Sequence, residues 1–140
     1  MSEKTKILLV GDNWDFLQLL AAVLKKHGFD VAATTDPLDA PALVRQFQPD
    51  IIILDELTQR SICVLHFARS EPAFTNTPIF IITDSMGDPP RENETMPVNW
   101  HVCPKPVPRD WFIASIQYAV ATARAKAPGH PAEKTEVGDP

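Results

Sequence analysis

Two rhythms of apolar and polar residues run through this chain. Short apolar runs closed by a polar residue read as buried strands, and longer stretches with apolar residues three and four apart read as helices. Ile7-Leu8-Leu9-Val10 follows Lys6 as the first strand, continuously apolar as expected when both faces are covered, and Gly11-Asp12-Asn13 breaks it. A helix is predicted from about Asp15 to His27, with Phe16, Leu19, Leu20, Val23 and Leu24 facing inward. Lys25-Lys26-His27 complements its C-terminal dipole and Gly28 stops it. Phe29 to Thr34 reads as a second strand, and Asp36-Pro37 as the cap and first turn of a helix to about Phe47, with Pro41 awkwardly placed near its start. Pro49-Asp50 opens the clearest buried strand, Ile51-Ile52-Ile53-Leu54-Asp55. Ser61 to Arg69 is predicted helical with Ile62, Leu65 and Phe67 or Ala68 inward, and Pro78 to Thr83 is a fourth strand. Residues 84–99 hold Gly87, Pro89, Pro90 and Pro97 and show little period. A short strand near Trp100 to Cys103 and a helix from about Arg109 to Ala125 complete the pattern, with Phe112, Ile113, Ile116, Ala119, Val120 and Ala123 on the helix's apolar face.

Strand and helix alternate five times, which predicts an α/β fold with a doubly wound, five-stranded parallel sheet. In such sheets ligands bind beyond the carboxyl ends of the strands. The polar residues there are Asp12, Asp55, Thr83 and Lys105. Their chemistry is coherent. Two carboxylates can hold a hard cation such as Mg²⁺, which keeps several of its waters. A carboxylate beside that cation can accept a phosphoryl group, while a hydroxyl and an ammonium each hold another phosphoryl oxygen.

The totals narrow the classes. A length of 140 residues suits one domain, expected over 1–125, and the period-free residues 126–140 are expected to form a disordered tail. The apolar share of 44% is enough for a core, yet no run approaches a membrane span and the N-terminus lacks a secretory pattern, so a cytoplasmic protein is expected. A net charge of −5 without a Lys/Arg cluster argues against nucleic-acid binding. Cys63 and Cys103 have no metal-like spacing and are expected to be buried free thiols. The four His fit no ligand spacing. The 14 Pro are about twice the usual share, and six of them lie between Pro89 and Pro108.

Over roughly residues 5–125 the sequence resembles the receiver domains of two-component response regulators, which have a flavodoxin-like fold. Pro49 to Asp55 is similar to the strand leading to their phospho-accepting Asp, Ile81-Ile82-Thr83 to the strand ending in their switch Thr or Ser, and Lys105-Pro106 to their Lys-Pro, usually joined by a cis peptide. The intervals agree as well: 43 residues from Asp12 to Asp55, 28 more to Thr83 and 22 more to Lys105. The resemblance implies a phospho-acceptor at Asp55, supporting roles for Thr83 and Lys105, and Mg²⁺ on Asp12, Asp55 and the backbone carbonyl of Leu57. It implies no enzymatic activity beyond phosphoryl transfer to Asp55. As partners it implies a histidine kinase or phosphotransfer protein, a downstream protein, and a second copy as a possible homodimer partner.

Several positions depart from the family's pattern. Gly11 stands where receivers carry the acid that holds the metal through water, so Mg²⁺ should bind weakly, by about 10–100-fold, and an acid at 11 should quicken transfer. The usual Pro and Gly are missing from Glu56-Leu57-Thr58-Gln59-Arg60-Ser61. Asp84 replaces a small residue, and either repels the phosphoryl group or adds to the metal cluster. Val102 stands where an aromatic switch residue is usual. Leu57 and Ser85 flank the path of a hydrolytic water without a strong acid or amide, which predicts a long-lived phosphoryl group. Self-association or partner binding is expected near Lys105 to Trp111. The favoured reading is a stand-alone receiver that signals by protein–protein contact. The alternative is a pseudo-receiver that binds partners without phosphorylation. A small doubly wound enzyme or cofactor carrier is a minor third reading, since the first turn lacks Gly-x-Gly-x-x-Gly.

Overall fold

The computed structural model describes residues 4–84 and 99–126. Five strands, β1 (Lys6–Gly11), β2 (Asp30–Thr34), β3 (Ile51–Asp55), β4 (Ile79–Thr83) and β5 (Trp100–Pro104), form one parallel sheet in the order β2-β1-β3-β4-β5. Helices α1 (Trp14–Lys26), α2 (Ala40–Phe47), α3 (Ile62–Ser70) and α4 (Arg109–Lys126) cover its faces. The predicted doubly wound α/β sheet is the observed one.

The apolar runs explain why both faces close. Side chains of a strand alternate between faces. Ile7, Leu9, Ile51, Ile53, Phe80 and Ile82 therefore meet Leu17 and Leu24 of α1 and Phe112, Ile113, Ile116 and Val120 of α4 on one side. Leu8, Val10, Ile52, Leu54, Ile79 and Ile81 meet Val44 of α2 and Val64, Leu65 and Ala68 of α3 on the other. Along β1, β3 and β4 neither face reaches water, so these strands contain few polar positions until their ends, whereas the edge strands β2 and β5 are partly exposed.

The structure corrects several local expectations. Leu17, not Leu19, is the inward residue near the start of α1, and Leu19 is 68% exposed. Ile62 at the start of α3 is also largely exposed, and Val64 takes the inward position. The helix predicted from Pro37 begins as a 3-10 turn, Pro37–Asp39, whose first free N–H, on Leu38, donates to Asp36 Oδ1 at 3.0 Å. The α-helical part starts at Ala40, which places Pro41 in a first turn where its missing N–H has no intrahelical role. Helix α4 runs through Lys126, one residue past its predicted end at about Ala125. The rest of the predicted tail, the Pro-rich stretch 85–98 and Ser85 lie outside the described residues. No helix among the described residues is long and apolar enough to cross a membrane.

Only one thiol is deeply buried. Cys103 is closed off within β5 and burial pushes its thiol up to about 11. Cys63 is half-buried and its Sγ donates to Arg60 O at 3.1 Å. Native protein at neutral pH should therefore titrate one thiol with Ellman's reagent, and two after denaturation. Rapid native titration of two would contradict the placement of Cys103.

Candidate functional site

Parallel pairing sets Gly11 beside Asp55 at the ends of β1 and β3. Two backbone bonds lace the neighbouring ends together: Glu56 N–H donates to Ile82 O at 2.7 Å, and Lys105 N–H to Thr83 O at 2.9 Å. The predicted residues Asp55, Thr83 and Lys105 thus share one rim. The Lys105-Pro106 peptide is cis, as the resemblance implied.

Asp55 is 6% exposed. Its Oδ1 lies 2.8 Å from Lys105 Nζ, a close ion pair. A Cβ on Gly11 would lie 3.3 Å from Oδ2. The two carboxylate oxygens therefore face different sides, one toward the ammonium and one toward the end of β1. Lys105 also rides over the Phe16 ring at 5.0 Å, so Phe16 supports the site as well as the helix. Burial works against the Lys105 charge, but hydrogen bonds and the charges of Asp55 and Glu56 outweigh it and raise its pKa.

Glu56, absent from the predicted set, meets three donors on the rim. Thr83 Oγ1–H donates to its Oε1 at 2.8 Å, Asp84 N–H donates to its Oε2 at 3.2 Å, and Lys105 Nζ lies 3.1 Å from Oε2. Burial pushes its carboxyl up, but the bonds from Thr83, Lys105 and Asp84 more than offset this, and its pKa falls below the ordinary value. Its φ of 73° is left-handed, at a cost of about 1–2 kcal/mol for a side-chain-bearing residue.

The loop that follows lacks Pro and Gly and is tied by hydroxyls instead. Thr58 N–H donates to Ser61 Oγ at 2.8 Å and Ser61 N–H to Thr58 Oγ1 at 3.1 Å. This loop brings Arg60 to Asp12 (Nη1 to Oδ1, 3.4 Å) and to Asp36 (Nη2 to Oδ1, 3.5 Å). Asp12 is therefore paired with a guanidinium rather than with Asp55. No group of three or more His, Cys, Asp or Glu suited to a metal occurs among the described residues. Two carboxylates and a carbonyl are the donor types a mostly hydrated Mg²⁺ takes. Asp84 is exposed, and its backbone N–H, rather than its carboxylate, joins the rim.

No family model matches the chain. Protein RcaC of Microchaete diplosiphon is 28% identical over 97 residues, 66% of this chain and 14% of that protein. The DNA-binding response regulator MtrA of Mycobacterium tuberculosis is 36% identical over 52 residues, 37% of this chain and 23% of that protein. Protein PilG of Pseudomonas aeruginosa is 28% identical over 90 residues, 61% of this chain and 65% of that protein. The chain thus spans less than two thirds of each of these relatives. Among solved structures, the receiver domain of a Pseudomonas aeruginosa sensor histidine kinase, with a magnesium ion in its active-site cleft, superposes with a TM-score of 0.71 at 22% identity, covering 85% of this chain and 99% of that one. The chemotaxis response regulator CheY4 of Vibrio cholerae gives 0.70 at 22% identity, covering 84% and 99%. The chain has the fold of response-regulator receiver domains.

Proposed function

We propose that this receiver-fold chain accepts a phosphoryl group on Asp55 and passes the signal on by protein–protein contact. One observation carries the reading: a buried carboxylate at a strand end faces an ammonium at 2.8 Å, with a hydroxyl on the same rim. In the transfer, an Asp55 oxygen bonds to phosphorus as the donor's bond to phosphorus breaks, with the imidazole nitrogen leaving from a phosphohistidine or acetate leaving from acetyl phosphate. Lys105 neutralises charge on the transferred oxygens and Thr83 donates a hydrogen bond to one of them. Asp12, Asp55 and the Leu57 carbonyl would hold Mg²⁺, which supplies further charge neutralisation when bound. The absence of an acid at Gly11 and the pairing of Arg60 with Asp12 both argue for weak binding.

A histidine kinase or phosphotransfer protein in the cytoplasm is the donor this chemistry calls for. Val102, Trp111 and Tyr118 leave exposed apolar surface on β5 and α4, which suits an output partner or a second copy. The pseudo-receiver reading has one specific support, the engagement of Thr83 and Lys105 by Glu56.

Incubation with acetyl phosphate and Mg²⁺ should add one phosphoryl group by intact mass, with acetate leaving. The product should be absent without Mg²⁺ and absent in Asp55→Ala. Unmodified protein after prolonged incubation would favour the pseudo-receiver.

A further inference from the structure

Three donors on the rim converge on one carboxylate, and it is not that of Asp55. The Thr83 hydroxyl, the Asp84 N–H and the Lys105 ammonium all meet the two oxygens of Glu56 within 3.2 Å. A hydroxyl, a backbone N–H and an ammonium aimed at one spot are a set that grips an oxyanion. The left-handed backbone at Glu56 turns the chain just past Asp55, so an ordinary loop acid comes to lie over the strand ends. Its side chain is 31% exposed, which leaves an exit to solvent.

We propose that Glu56 is an internal ligand of the phosphoryl-oxygen pocket, holding the Thr83, Asp84 and Lys105 donors until an external oxyanion displaces it. Lys105 already faces the carboxylates of Asp55 and Glu56. A phosphoryl group on Asp55 needs the same donors, and a further anion against that single ammonium is unfavourable. Glu56 must then swing outward, and the rate of Asp55 modification is set by that exchange. Until it happens, Thr83 is held toward the pocket by an anion that belongs to the chain. The proposal rests on the receiver reading only in taking the displacing anion to be phosphoryl.

The test uses inorganic phosphate without Mg²⁺, followed through the Asp84 amide resonance. Glu56→Ala is compared with wild type, alongside Glu56→Gly, which the left-handed backbone tolerates should the Ala variant fold poorly. Loss of a competing carboxylate held by charge-assisted bonds should tighten phosphate binding by about ten- to a hundredfold. Adding Lys105→Met to either variant should abolish the gain. Equal phosphate responses in wild type and variants, or none in any of them, would overturn the proposal. In parallel, acetyl phosphate should modify Asp55 faster in the Glu56 variants. If the variants bind phosphate but Asp55 stays unmodified in every protein, the receiver reading fails and the role of Glu56 stands. If all are modified at one rate and no variant gains phosphate binding, Glu56 is no pocket ligand and the receiver reading stands.

Discussion

Gly11→Asp is expected to destabilise the fold by about 1–3 kcal/mol, the usual cost of overpacking, and to slow transfer to Asp55. The sequence pattern suggests the opposite, since an acid here would restore the missing water-mediated metal contact. The packing decides otherwise. A Cβ at Gly11 would lie 2.7 Å from Asp55 Cβ and 3.3 Å from Leu17 Cδ2. Both Cβ atoms are fixed to their backbones, so β1 or β3 has to move. The added carboxylate also places like charge beside Asp55. Urea midpoints should fall in both Gly11→Asp and Gly11→Ala, which share the clash and differ in charge. An unchanged midpoint with faster modification of Gly11→Asp would show that the strands yield and that only a metal contact is lacking.

Lys105→Met is the second substitution with a large expected effect. It keeps an unbranched apolar stem against Phe16 while removing the charge that faces Asp55 and Glu56. Lys105 is 27% exposed in its side chain and Asp55 only 5%, so water screens the pair little. Leaving a buried carboxylate without its counter-ion should cost about 2–4 kcal/mol, read from urea unfolding, and should abolish transfer. Asp55→Asn added to Lys105→Met should restore part of the loss, because the buried carboxylate is then neutral and only the more exposed Glu56 still lacks its cation. Strictly additive single-variant effects would mean that the 2.8 Å contact carries no coupling.

The strand ends were legible because a parallel sheet covered on both faces leaves only its ends for polar chemistry. Asp55, Thr83 and Lys105 could therefore be named from order and spacing, and they do share a rim. The same logic points to Asp12, but Arg60 pairs with both Asp12 and Asp36, a link between distant loops that no periodicity reports. Glu56 was overlooked for a different reason. A residue just past a strand reads as loop, and only its left-handed φ returns the carboxylate to the pocket. One cue is present, an acid directly after Asp55 with a Thr and a Lys expected nearby. The exchange of Leu19 for Leu17 has a simpler origin. Two overlapping apolar stripes run along α1, and periodicity alone cannot say which one the sheet meets.

The Arg60 bridge has a consequence for how reagents reach Asp55. Among the described residues, Asp12, Asp36, Asp55 and Glu56 meet Arg60 and Lys105 in the ion pairs of this rim, leaving acids in excess, and Asp84 adds the same sign. A free phosphodonor is itself an anion, so its final approach is electrostatically uphill. Dissolved salt, which screens over about 10 Å at 0.1 M, lowers that barrier, the reverse of the usual steering between opposite charges. A docked protein donor can do the same by bringing its own basic residues to the mouth of the pocket. Selectivity for a protein donor over small acyl phosphates would then reside in the field around the site, with no contact to the acceptor itself.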